Sequence, residues 1–298
     1  MKLFNKKETL LQSMPFMALM AAINVIIAVI SALSPGLALL FVILLPLTST
    51  LVAIYCKSRY FPIYAFATFG LSIVATLWNM ETTFFYVLPS IIVGFIFGVL
   101  TKLKIHPVWS IFVASIFQAG MTAGFIPLIN LIFDTDMIDV FKTVLNLHSV
   151  AWGDIILLSL LFIFSLIQII LNYFVVSGEL KKFGIEEKTE VDNFFIYPLI
   201  TIVFCLGVIG FYFISLMIAY LFMCFALYFA AFDVYYLVKT GHLKLLIGFG
   251  ISIVANVILF AVLNGYLKEN SQILLVTLTP LCIGLISFVF SFLQKKKE

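Results

Sequence analysis

Five apolar runs, near 16–33, 37–55, 60–78, 83–101 and 108–133, succeed one another with almost no charged residue inside any of them. About 20 such residues cross the hydrocarbon core of a bilayer, so each run is long enough to span it. A water-soluble core has no place for so much uninterrupted apolar chain. A sixth run, near 153–176, carries only Asp154, close to its start. After the charged loop SGELKKFGIEEKTEVDN (177–193), uncharged sequence extends from Phe194 to Phe232, and further runs lie near 243–264 and 272–293.

The charged residues, only 10% of the chain, are gathered between these runs and do not alternate along them. That pattern excludes an outer-membrane barrel and predicts an all-α, polytopic helical membrane protein. The 64% hydrophobic content and 33 phenylalanines agree with it. The basic N-terminus MKLFNKKETLLQS precedes a run too long for a secretory signal, and SALSPG is a poor cleavage site, so this segment reads as a retained first span.

Charge placement sets the number of spans. The segment 194–238 has more than twice the length one crossing needs, and a break near 210–215 divides it. Ten spans and two cytoplasmic termini result. The inner side then holds 15 basic residues, and only Lys142 and Lys268 lie outside. A single span there would leave 11 inside and 6 outside, so ten spans fit the positive-inside rule better. The net charge of +3 is thus explained by topology and implies no nucleic-acid partner.

Glu81, Asp134, Asp136, Asp139 and Asp154 all fall on the external side of the first half. Between the fifth and sixth spans, Ile138, Phe141, Val144 and Leu145 recur at helical spacing, which predicts a short amphipathic helix over the outer mouth. The run DTDMID is read as a solvated acidic loop.

No catalytic constellation is present. His106, His148 and His242 lie in different loops on opposite sides, and no G-x-S-x-G, HExxH, Walker A or GxGxxG signature occurs. Neither enzyme activity nor a cofactor is expected, and no ATPase is encoded in the chain. Cys56, Cys205, Cys224 and Cys282 have no metal-ligand spacing and read as small apolar space-fillers.

Small residues mark candidate contact faces. Ala18, Ala21, Ala22, Ala28 and Ala32 fall within an arc of roughly 120° on the first helix, at 3.6 residues per turn. Sorting alanine from isoleucine gains nothing against lipid, so this face is expected to meet protein. Gly94-xxx-Gly98 and Gly120-xxx-Gly124 are expected to let helices approach closely inside the bundle.

Polar side chains within spans are few: Asn24, Gln118, Asn130, Gln168, Asn172 and Asn256, with Asp233 near the inner end of the eighth. Gln118, Asn130 and Pro127, with the two thinning glycines, are expected to interrupt the fifth span and leave a cavity. Trp78, Asn79, Glu81 and Tyr86 sit at the outer boundary after the third span, and Trp152 and Asp154 before the sixth. Together with Gln118 and Asn130 they form a candidate pocket for a small cationic or aromatic molecule.

The N-terminal half, from MALMAAINVIIAVISALSPG through the sixth span, resembles the substrate-binding S component of energy-coupling factor (ECF) vitamin transporters. Such proteins have six spans, a cytoplasmic N-terminus and an A-x-x-x-A face on helix 1 that docks a shared coupling subunit; Ala18 and Ala22 match that motif. The whole chain, including LNYFVVSGELKKFGIEEKTEVDNFFIYP, is similar to the YybS-like family of uncharacterised bacterial membrane proteins. The apolar runs and charge placement divide the chain into a six-span bundle over 1–176, the part similar to an S component, a cytoplasmic charged loop over 177–193 and a four-span bundle with a basic tail over 194–298. The resemblance implies the bacterial plasma membrane, a coupling subunit with its ATPases, and a small-molecule substrate. Helix 1 would present Ala18, Ala22, Ala28 and Ala32 to the coupling subunit. Two other functions fit the residues: a ten-span secondary metabolite carrier built of inverted repeats, although the unequal loops after spans 1 and 6 disfavour it, and a non-transporting membrane partner of another protein.

Overall fold

The computed structural model describes residues 6–33, 44–134, 136–144, 153–182, 194–263 and 271–295. The described helices of eight residues or more are α1 (Leu10–Leu33), α2 (Leu45–Tyr55), α3 (Phe61–Ala75), α4 (Leu88–Lys102, preceded without a break by a π-helical turn, Thr83–Val87), α5 (Pro107–Phe133), α6 (Met137–Val144), α7 (Gly153–Lys182), α8 (Ile196–Tyr212), α9 (Leu216–Lys239), α10 (Leu243–Leu263) and α11 (Gln272–Lys295). No strand occurs among the described residues. Among the described residues, seven helical stretches are long and apolar enough to cross a membrane: Leu10–Leu33, Thr83–Lys102, Pro107–Phe133, Ile155–Gly178, Leu216–Lys239, Leu245–Leu263 and Gln272–Leu293. The chain is a helical, multi-pass membrane protein. α2 and α8 are shorter apolar helices.

Local sequence explains where helices begin. Thr9 Oγ1 accepts from the Gln12 amide (3.4 Å) while Gln12 Oε1 reaches back to the Glu8 amide (3.3 Å), a capping arrangement drawn from T-x-x-Q. Pro46, Pro62, Pro89 and Pro107 each stand in the first turn of α2, α3, α4 and α5, where a missing N–H costs nothing. The acidic run supplies caps. Asp134 ends α5 in the left-handed region (φ 51°), and Asp136 Oδ1 accepts from the Ile138 and Asp139 amides at 3.1 Å to start α6. The amphipathic helix is thus present as Met137–Val144, while Leu145 and His148 lie outside the described residues.

The residues cluster in two compact units, Met1–Ser149 with Leu161–Glu190, and Val150–Leu160 with Val191–Glu298. In the first, α2 is the innermost helix: every residue from Leu45 to Tyr55 is buried except the half-buried Leu47. Its 11 residues rise only about 16 Å, roughly half the hydrocarbon thickness. α4 packs directly on it. A Cβ on Gly94 would lie 2.6 Å from Ser49 Cβ, and one on Gly98 2.6 Å from Ala53 Cβ, so this glycine pair does bring two helices together. The Lys102 ammonium donates to the Cys56 and Ala53 carbonyls (3.0 and 3.3 Å), closing the C-terminal end of α2.

The other glycine pair behaves differently. Nothing lies within 4 Å of a Cβ built on Gly120 or Gly124. α5 also runs unbroken through Pro127 from Pro107 to Phe133, where an interruption was expected. Proline at that position removes one backbone donor without ending the helix, as membrane helices tolerate.

In the second unit, α8 and α9 form a hairpin whose turn, Phe213–Ser215, falls at the break expected near 210–215. Gly207 admits the Phe222 ring, and Val208, Ala219, Met223 and Ile273 form a buried cluster there. α11 closes on α8 through Gly284, where a Cβ would come within 3.1 Å of Thr201 Cγ2. α10 is joined to α11 through Asn256, whose amide donates to Thr279 Oγ1.

Candidate functional site

The face that α1 buries is centred on Asn24 and includes Met17, Met20, Ala21, Ala28, Ser31 and Ala32. This corrects the expectation of one docking stripe. Ala28 and Ala32 are 4% and 7% exposed, packed within the first unit, because they lie on the Asn24 side of the alanine arc. Ala18 and Ala22 lie on its other edge and are exposed, beside Met14, Leu19, Ile23 and Ile26. The A-x-x-x-A pair therefore remains on the surface, and the rest of the stripe is internal packing.

The segment between α3 and α4 carries four of the candidate pocket residues. Trp78 is 60% exposed, while Asn79, Glu81 and Tyr86 are half-buried. Phe84 pins this segment down, its ring centroid 5.1 Å from that of Phe69 on α3 and 5.7 Å from that of Phe133 at the end of α5. Asn130, half-buried, is one turn before Phe133. Gln118 is buried and lies 12 residues earlier on the same helix, roughly 18 Å along it. One compact pocket cannot hold both ends of that separation. Trp152 lies outside the described residues; Asp154 stands in α7, in the stretch belonging to the second unit.

The structure assembles a different polar centre, around α2. Asn24 Nδ2 on α1 donates to Thr48 Oγ1 (2.8 Å) and the Leu45 carbonyl (3.2 Å). Tyr64 on α3 donates to the same Thr48 oxygen (3.0 Å), which in turn donates to the Leu45 carbonyl (3.1 Å). One hydroxyl thus uses its proton and both lone pairs, tying three helices. Ser49 Oγ stands 3.4 Å from the Tyr64 oxygen. On the opposite side of α2, Asn172 Nδ2 on α7 donates to Thr50 Oγ1 (3.1 Å), which donates to the Pro46 carbonyl (2.8 Å).

The sequence marks Asn24 and Asn172 as polar residues within spans but does not single out Thr48, Ser49, Thr50 or Tyr64. The available signal was PLTST, three hydroxyls in succession inside an apolar run. Asn24 Oδ1, Asn172 Oδ1, Ser90 Oγ and Gln118 Oε1 are buried acceptors without a hydrogen-bond partner. They are able to receive hydrogen bonds from a donor-bearing solute, and none brings a formal charge. Cys56, just past α2, is buried too, and burial pushes its thiol above the usual range, so it is a poor nucleophile.

In the second unit, Asp233 of α9 is fully buried, and Thr201 Oγ1 of α8 stands 2.9 Å from its Oδ2. Of the other polar residues picked out in the spans, Gln168 is buried in α7. No group of three His, Cys, Asp or Glu able to hold a metal ion occurs among the described residues. No family model, curated protein or solved structure matches the chain.

Proposed function

We propose that the chain is a membrane-embedded capture protein of the S-component type, taking up a small molecule and docking a coupling subunit through α1. The observation that carries this reading is the exposure of Ala18 and Ala22 on adjacent turns of a helix whose other arc alanines are buried. Two small residues one turn apart leave a shallow strip on which a second helix can lie close, and such contacts are what hold helices together in lipid. The polar centre around Thr48 supports a capture role, since buried amide and hydroxyl groups at membrane depth are costly unless they serve packing or a solute.

In this reading there are ten spans, with α2, α3 and α8 supplying the three short ones, and both termini are cytoplasmic. The protein belongs to a bacterial plasma membrane and to the YybS-like group. Its partners are the coupling subunit and ATPases, and it performs no chemistry of its own.

The test is a mild-detergent pull-down of the tagged protein from its native membrane, with mass spectrometry of bound proteins and retained small molecules. Recovery of a coupling subunit with its ATPases, lost in Ala22→Trp while ligand is retained, is the expected result. Gradient-driven uptake by vesicles lacking any ATPase would overturn it in favour of a secondary carrier. A stable protein partner with no ligand would leave a non-transporting scaffold.

A further inference from the structure

Asp233 is 0% exposed, six residues before the end of α9 at Lys239, and so roughly 9 Å inside it. The residues around it on the same helix face, Ala226, Phe229, Ala230 and Leu237, are buried and apolar. Its Oδ2 has one partner, Thr201 Oγ1 at 2.9 Å, and its Oδ1 has none. An ionised carboxylate accepts about four hydrogen bonds in water and is costly to bury with one.

The basic residues among the described ones of this unit are Lys239, Lys244 and Lys295, near helix ends, and His242, in the turn before α10 with its ring 4.5 Å from that of Phe290; Asp233 Oδ2 meets Thr201 instead, and its Oδ1 has no hydrogen-bond partner. On α8 the titratable residues are Tyr197, Cys205 and Tyr212, and on α9 itself Tyr220, Cys224, Tyr228, Tyr235, Tyr236 and Lys239. α10 contributes only Lys244, in its first turn, and α11 only Cys282 and the terminal Lys295; Asp154 and no basic residue comes from Gly153–Leu160 in the same unit. Tyr197 and Tyr236 are engaged with aromatic neighbours, Tyr197 with Phe232 (4.6 Å between centroids) and Tyr236 stacked on Phe194 (3.9 Å).

Hydrogen counting points to the missing charge. Thr201 Oγ1 stands within reach of two acceptors, Asp233 Oδ2 and the carbonyl of Tyr197 at 3.2 Å, yet a hydroxyl has a single proton to donate. If Asp233 is a neutral acid, its Oδ2–H donates to Thr201 Oγ1, whose own proton goes to the Tyr197 carbonyl. Every contact is then a hydrogen bond with one donor and one acceptor. The site is also closed by α11, because Gly284 lets that helix come down on Thr201, itself 0% exposed.

We propose that Asp233 and Thr201 form a proton-binding site inside the second unit, occupied by a proton in the resting protein. Release would require the carboxyl to turn its O–H from Thr201 toward an admitted water, which takes the proton and leaves a carboxylate that the Thr201 hydroxyl turns to face. An asparagine at position 233 would serve packing equally well and could not exchange a proton. The site is independent of whether the first unit captures a solute.

The experiment is infrared spectroscopy of the full-length protein in lipid at neutral pH, in wild type, Asp233→Asn and Thr201→Val. The expected wild-type minus Asp233→Asn difference contains the C=O stretch of a protonated carboxylic acid, shifted by D2O. In Thr201→Val that band persists and moves to higher frequency as its partner is lost. A wild-type spectrum lacking a protonated-acid band would overturn the proposal without any variant, should Asp233→Asn fail to fold. So would a difference containing only carboxylate bands, or a band that sodium removes at constant pH, which would make the site one for a metal cation.

Discussion

Gly94 faces Ser49 so closely that a Cβ on the glycine would stand 2.6 Å from the serine Cβ, with the backbone nitrogen of Thr50 at 3.1 Å. Backbone and Cβ atoms cannot swing aside as a long side chain does. Gly94→Ala and Gly98→Ala should therefore force α4 off α2 and lower stability by about 1–3 kcal/mol, the usual range for overpacking. Gly120→Ala, in open surroundings, should be neutral or stabilising by about 0.5–1 kcal/mol through helix propensity. Thermal unfolding of the three variants in one detergent makes the comparison.

The Thr48 hydroxyl accepts from both Asn24 and Tyr64, so these two residues should not act independently. Asn24→Ala and Tyr64→Phe are each expected to cost about 0.6–1.7 kcal/mol, the range for hydrogen bonds between membrane helices. In the double variant the effects should depart from additivity by about 0.5 kcal/mol or more, measured as a double-mutant cycle of unfolding free energies. Strict additivity would mean the shared oxygen does not couple them.

Ala22 and Ala28 carry the same side chain on one helix, one exposed and the other 4% exposed. Ala22→Trp should leave the melting temperature of the purified protein within a few degrees of wild type. Ala28→Trp should abolish the folded monomer or lower its melting temperature sharply, since an indole has no room there. Equal effects would show that the buried side of α1 is assigned wrongly.

Lys102 donates to the last carbonyls of the buried α2, which no continuing turn of helix satisfies. Lys102→Met keeps the aliphatic stem and removes the donor. The expected loss is about 1.5–3 kcal/mol, as for a hydrogen bond from a charged group, read from thermal or denaturant unfolding.

The proposed ten spans with cytoplasmic termini would put Ser58 and Thr143, both exposed, on opposite sides of the membrane. A membrane-impermeant maleimide applied to intact cells should label Thr143→Cys and leave Ser58→Cys unlabelled until the membrane is opened. The native Cys56, buried with its thiol pushed up, should contribute little background. The reverse pattern would invert the topology.

Helix positions were legible in the residues. Charge-free runs act within a few residues of where they stand, so each marks its helix without help from the rest of the chain. The break between α8 and α9 at Phe213–Ser215 was readable from length alone, because no single crossing can use so many apolar residues.

What each face meets was not legible. Gly94-xxx-Gly98 and Gly120-xxx-Gly124 are the same motif, yet one pair is wedged on α2 and the other has nothing within 4 Å. Ala22 and Ala28 share an arc and fall on different sides of the buried boundary. In water, a helix face toward solvent is polar and gives the partner face away; in lipid both faces are apolar, and spacing says only which residues lie together. The sequence by itself determined that this is a helical membrane protein and roughly where its long helices lie. The tertiary structure alone decided that α2 is central, that Thr48 joins Asn24 to Tyr64 and that Thr201 meets Asp233, because those contacts pair residues from helices whose adjacency no local pattern encodes.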